Sequence, residues 1–207
     1  MKKEQKLLDA YNEGIYRKLA TALQQLTVSA SPAVGSDCML QAALAKALLA
    51  EFGIQTRIVV GEAAWRLGPG NGDVMVHSPQ VGGVAMANGP SLAFHAWLET
   101  AQGEILDFTT NSLRLKAKQL DALDGGKTTV EWCPPYLLAP RTKSSVWEVT
   151  QSFQSGVYHY GELPGLLELM QSNGLANEPA PEDLAILKMI YTMPAMQVVG
   201  VNDLHPA

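Results

Sequence analysis

Apolar residues recur at three- and four-residue steps through residues 3–28, at Leu7, Leu8, Tyr11, Ile15, Leu19, Leu23 and Leu26. That spacing predicts an amphipathic helix whose apolar stripe covers a core. Residues 29–35, with Pro32 and Gly35, end it, and Ser36 or Asp37 is placed to cap a second helix. Residues 38–52, CMLQAALAKALLAEF, lack Gly, Pro and β-branched side chains and are apolar around most of the circumference, which predicts a largely buried helix. Gly53 supplies its C-cap, and residues 54–61 then read as a β-branched strand ended by Gly61.

Periodicity weakens over residues 62–92, where glycine and proline are frequent, and a long loop or an irregular pair of short strands is expected. Residues 94–100 and 104–108 form a predicted strand pair joined by Ala101-Gln102-Gly103. In that pair His95, Trp97 and Glu99 share a face, and Asp107 falls on the second strand. Further on, residues 113–123 are expected to be a short helix, 128–132 a strand, and Cys133-Pro134-Pro135 a turn. Residues 146–160 read as a strand or a bent pair, and 163–171 and 182–193 as helices. The chain is read as a single domain over 1–207, with 172–181 the candidate internal boundary.

Composition narrows the function classes. A net charge of −5 and a pI near 5.3 give no electrostatic footprint for a phosphate backbone, so nucleic acid is not an expected partner. No run approaches the roughly 20 apolar residues a membrane span needs, and Asp9, Asn12, Glu13, Arg17 and Lys18 deny the basic N-terminus a secretory h-region. The protein therefore reads as cytoplasmic, with no membrane partner. Two cysteines do not make a disulfide framework, and in a reducing compartment Cys38 and Cys133 are expected to be free thiols.

Each thiol then becomes a question of reactivity. A nucleophilic cysteine is favoured by a helix N-terminus together with an imidazolium neighbour. Cys38 has the first at the predicted start of a buried helix, where unpaired backbone N–H groups favour negative charge. For the second, a histidine must stand on rigid backbone and be oriented by a carboxylate. His95 and Asp107 lie on either side of the predicted hairpin turn and are expected to be near cross-strand neighbours.

The stretches SDCMLQAALAKALLAEFGIQTRIVVG, FHAWLET and GEILDFTT, over about residues 36–110, resemble the core of the transglutaminase-like superfamily, whose relatives include arylamine N-acetyltransferases and papain-like peptidases. Cys38, Gly53-Ile54, Arg57, Gly61, His95, Trp97, Glu99, Gly103, Asp107 and Thr109 match its pattern in order. Glu104-Ile105-Leu106 and Phe108 depart from it without removing a catalytic group, and residues 111–207 match no part of it. The resemblance implies an α/β (α+β) fold of the papain-like type, a central helix carrying Cys38 packed on an antiparallel sheet carrying His95 and Asp107. It also implies cysteine-dependent acyl transfer or hydrolysis of an amide or thioester, with Cys38, His95 and Asp107 as the triad and a small molecule or peptide as substrate. A rival reading is a catalytically silent peptide- or ligand-binding module on the same fold.

Other residues take plainer roles. Trp97 and Glu99 are read as packing and as a solvated or ion-paired carboxylate, Cys133 as structural, and His77 as an exposed loop residue. No tight pair at metal-ligand spacing occurs and Cys133 has no CxxC partner, so no metal is expected. With no nucleotide-binding motif, no cofactor is expected either, and oligomeric state is left open.

Overall fold

In the computed structural model of the protein, which describes residues 2–31, 37–79, 85–86, 89–90, 93–176 and 178–200, the chain opens with α1 (Lys2–Ala30) and α2 (Cys38–Glu51). The strands β1 (Thr56–Arg66), β2 (Val74–His77), β3 (Ala85–Met86), β4 (Gly89–Pro90), β5 (His95–Thr100) and β6 (Glu104–Asp107) follow. A 3-10 turn (Thr109–Ser112) leads to α3 (Leu113–Asp124) and β7 (Leu137–Pro140), and the chain continues through α4 (Val146–Gln151), β8 (Tyr158–Glu162), α5 (Leu166–Ser172) and α6 (Pro181–Thr192).

The main sheet runs β2-β1-β5-β6-β7, with β8 also on β1, and every ladder in it is antiparallel. Gly61 is bridged to both His95 and Glu162, and Ala63 to both His77 and Tyr160. A strand has two edges, so β8 lies on one edge of β1 while β5 and β2 follow one another along the other. This register brings the end of β2 to the start of β5.

One face of the sheet, through Val60, Ala96, Leu98, Leu106 and Phe108, packs on α1, α2 and α6. The other gathers Val59, Trp65, Trp97, Ile105, Leu137, Ala139 and Tyr160 with Leu113 and Ala117 of α3. This is a mixed α+β arrangement of helices on an antiparallel sheet. Met170 of α5 and Leu187, Ile190 and Tyr191 of α6 share the first core cluster, so residues on both sides of 172–181 contribute to one core.

Several expectations need correction. On α1 the stripe has the expected phase, and its members Ile15, Leu19, Leu23 and Leu26 are buried, whereas Leu7, Leu8 and Tyr11 are exposed because the helix outruns the core beneath it. Gly61 does not end β1, which continues to Arg66. A Cβ on Gly61 would lie 1.9 Å from the Gly161 carbonyl oxygen, so the glycine marks the close crossing of β8. Residues 128–132 form no strand; the N–H groups of Glu131 and Trp132 both donate to the Leu67 carbonyl, and β7 is the strand that covers β6. Residues 146–160 hold a helix and part of a strand, the helix opened by a capping box between Ser145 and Glu148. Of the 62–92 segment, expected as a long loop or an irregular pair of short strands, residues 62–66 belong to β1 and 74–77 to β2, β3 and β4 form a short antiparallel pair, and 80–84, 87–88 and 91–92 lie outside the described residues.

Candidate active site

Cys38 is the first residue of α2 and is buried. The alanine- and leucine-rich helix seats it by packing on β5 and β1, so the thiol stands where the first backbone N–H groups are left unpaired. His95 opens β5 and Asp107 closes β6. The ladder between these strands pairs Leu98 with Leu106 and Glu99 with Ile105, which sets Asp107 across from Trp97 and one diagonal step from His95. Diagonal positions on one face are within reach of long side chains. The imidazole Nε2 lies 2.8 Å from Asp107 Oδ2, with both side chains buried.

Asp107 accepts four hydrogen bonds: from His95 and the Tyr160 hydroxyl at Oδ2, and from the Thr109 N–H and hydroxyl at Oδ1. Tyr160 stands 2.6 Å from Oδ2, and its oxygen accepts the Trp65 indole N–H at 2.8 Å. Burial by itself would raise the Asp107 carboxyl, but His95 and then Tyr160 and Thr109 hold it below the usual carboxylate range. An ionised Asp107 can only accept, so Nε2 carries a proton. The other ring nitrogen, Nδ1, is then the one free to exchange a proton.

Burial would likewise lower His95, and Asp107 overcomes it, with Cys38 adding to the effect, so the imidazole is raised to about 10. The Cys38 sulfur therefore helps to hold charge on the ring, while Nδ1 has no hydrogen-bond partner among the described residues. Gln41, one turn along α2, is buried and donates to Asp37 at 2.9 Å.

The sequence reading placed three residues here, and the fold brings them together. It did not include Tyr160, Trp65, His77 or Lys116. His77 is no loop residue: it ends β2, with its ring 5.6 Å from that of His95 and 5.4 Å from that of Trp65. Burial, and then the neighbouring charge of His95, lowers it to about 3, so it is neutral at physiological pH. Lys116 of α3 is lowered by burial and opposed in this by Cys38 and Asp37, which places an ammonium within electrostatic range of the thiol. Cys133 lies elsewhere, its thiol donating to the Thr110 and Asn111 carbonyls at 3.3 and 3.4 Å. Glu99 is ion-paired, with Arg57 at 2.8 Å and with Arg141.

No family model matches the chain, and no curated protein matches it. A crystal structure described only as a genomics target superimposes with a TM-score of 0.52, covering 88% of this chain and 77% of its own, at 17% identity. That likeness is one of fold, and it agrees with the mixed α+β arrangement of helices on an antiparallel sheet.

Proposed function

We propose that the protein is a cysteine-dependent acyltransferase or hydrolase, acting on an amide or thioester of a small molecule or peptide, on a core of the papain-like type found in the transglutaminase-like superfamily. The observation that carries this reading is the buried His95–Asp107 pair, which occupies Nε2 and leaves Nδ1 uncommitted on an imidazole that interacts with a thiol at a helix N-terminus. Sulfur and imidazole are the two parts that nucleophilic acyl transfer requires, and the carboxylate fixes the tautomer.

The Cys38 sulfur attacks as the thiolate of an ion pair, its proton already held on His95 Nδ1, and bonds to the carbonyl carbon of the substrate. The tetrahedral oxyanion is met by the Cys38 backbone N–H at the start of α2. Collapse breaks the bond to the leaving amine or thiol, which takes the proton from Nδ1, and a thioester remains on Cys38. Water or an amine then attacks the thioester, giving its proton to Nδ1 and returning the thiolate. Asp107 keeps its charge throughout and balances the imidazolium.

The test is alkylation by iodoacetamide with site assignment by mass spectrometry, in the wild type and in His95→Ala. At pH 6 Cys38 is expected to alkylate at least tenfold faster than Cys133, and His95→Ala is expected to remove most of that advantage. Equal pH profiles for Cys38 in the two proteins would show that no ion pair activates it, and the silent binding module would take the place of this reading.

A further inference from the structure

The geometry points to Tyr160 as a positioning residue of this site, a fourth member supplied by β8 that holds Asp107 as an acceptor and thereby sets the proton on His95. The proposal rests on the triad reading above. Its basis is the direction of the hydrogen bonds. An indole N–H can only donate, so with Trp65 Nε1 2.8 Å away the Tyr160 oxygen must accept from it. The Tyr160 hydroxyl hydrogen is then left to point at Asp107 Oδ2, at 2.6 Å. The order Trp65, Tyr160, Asp107 thus runs one way, and it ends on the oxygen that also receives His95 Nε2–H.

Both aromatic side chains are buried, and their rings lock the arrangement: Tyr160 lies edge-on to Trp65, His95 and Trp97 at 5.7, 5.8 and 5.2 Å. A rotated Tyr160 would leave Trp65 Nε1 and Oδ2 short of partners in a dry interior, which is costly, so the orientation is enforced. The consequence is specific. A donor on Oδ2 disperses the carboxylate charge and lowers its affinity for a proton, keeping Asp107 ionised to lower pH. The titratable groups around this pair are His95 and His77, which interact with Asp107, and Tyr158 beside Tyr160 on β8, with Cys38 from α2 acting on His95 and Lys116 from α3 acting on His77. Of these only His95 donates to Asp107, whose other two bonds come from Thr109.

The experiment is the rate of Cys38 thiolation by 2,2′-dipyridyl disulfide, which stays reactive in acid, from pH 3 to 9 in the wild type, His95→Ala and Tyr160→Phe. Loss of the acid-side reactivity in His95→Ala supports the triad. In Tyr160→Phe the reactivity persists, but its acid limb moves up by about one pH unit, the size expected on losing one hydrogen bond to a charged group. If His95→Ala matches wild type, the triad reading fails. If His95→Ala loses the reactivity while Tyr160→Phe superimposes on wild type, the triad stands and the role given to Tyr160 is wrong. Should Tyr160→Phe lose its near-UV circular dichroism, 3-fluorotyrosine inserted at position 160 decides. It keeps ring and hydroxyl but donates more strongly, so the acid limb moves down, and an unmoved limb overturns the proposal.

Discussion

His95 and Glu99 sit four residues apart on the same face of β5, and each meets an oppositely charged partner on a neighbouring strand. At the first, the side chains of His95 and Asp107 are 1% and 0% exposed, and four donors converge on a single carboxylate. At the second, Arg57 and Arg141 share Glu99 and Glu162 while remaining 51% and 36% exposed. The same class of interaction has different consequences in the two places. Water and salt screen the guanidinium cluster, which fastens β1, β5 and β8 together without fixing any proton. In the dry cluster nothing competes with the carboxylate, so each donor constrains both the geometry and the protonation of its neighbour.

The largest expected effect comes from removing the centre of the dry cluster. Asp107→Ala leaves His95, Tyr160 and Thr109 without their shared acceptor, and breaking a buried pair in this way costs about 3–5 kcal/mol. Urea unfolding at pH 5 measures it. A loss below 1 kcal/mol would mean that the two clusters differ only in exposure and that burial adds nothing.

A pH series sharpens the contrast. His95 is raised to about 10, so its contribution is fully present below the unfolded value of about 6.5 and is lost as pH rises through about 10. Asp107 is lowered, so its contribution is present above the unfolded value of about 3.9 and is lost as pH falls through its folded value. The stability gap between wild type and Asp107→Ala should therefore be widest between roughly pH 4 and 6.5 and narrow toward pH 10. A gap that is constant from pH 5 to 10 would remove the imidazolium from the account.

Much of this was legible in the chain because local signals agreed with the global fold. Cys38 precedes an uninterrupted helix former, and the Ala101-Gln102-Gly103 turn defines the hairpin that joins His95 to Asp107. Tyr160 was illegible for a physical reason. It lies 53 residues from Asp107, on a strand whose only preceding punctuation is Gly156, and no local period reports such a pairing. The α4 helix was legible and misread: Ser145-Val146-Trp147-Glu148 is a capping box, outweighed by the β-branched and aromatic residues that follow it. His77 looked like a loop residue because the glycines before it concealed the turn of a hairpin, closed where Asp73 accepts the Gly70 N–H at 2.7 Å.

The smallest expected effect belongs to the exposed cluster. Arg57 donates to Glu99 at 2.8 Å and to both Glu162 oxygens at 2.7 and 3.0 Å, and through these bonds Glu162 is held down to about 2. That depressed value marks a favourable interaction in the folded state, present above the unfolded carboxylate value of about 4.3 and lost as pH falls through about 2. Its worth is limited by solvent, since exposed pairs typically contribute 0 to about 1 kcal/mol and long side chains lose rotamer freedom in forming them. Arg141 also reaches Glu162, at 3.1 Å, so part of the pairing survives when Arg57 is removed. Arg57→Ala is therefore expected to lower stability by less than about 1 kcal/mol at pH 7, and by still less in 1 M NaCl, where the screening length falls to about 3 Å. Urea titration of wild type and variant at low and high salt reads both quantities. A loss above 2 kcal/mol that salt leaves unchanged would place Arg57 with the buried cluster and dissolve the distinction between the two ends of β5.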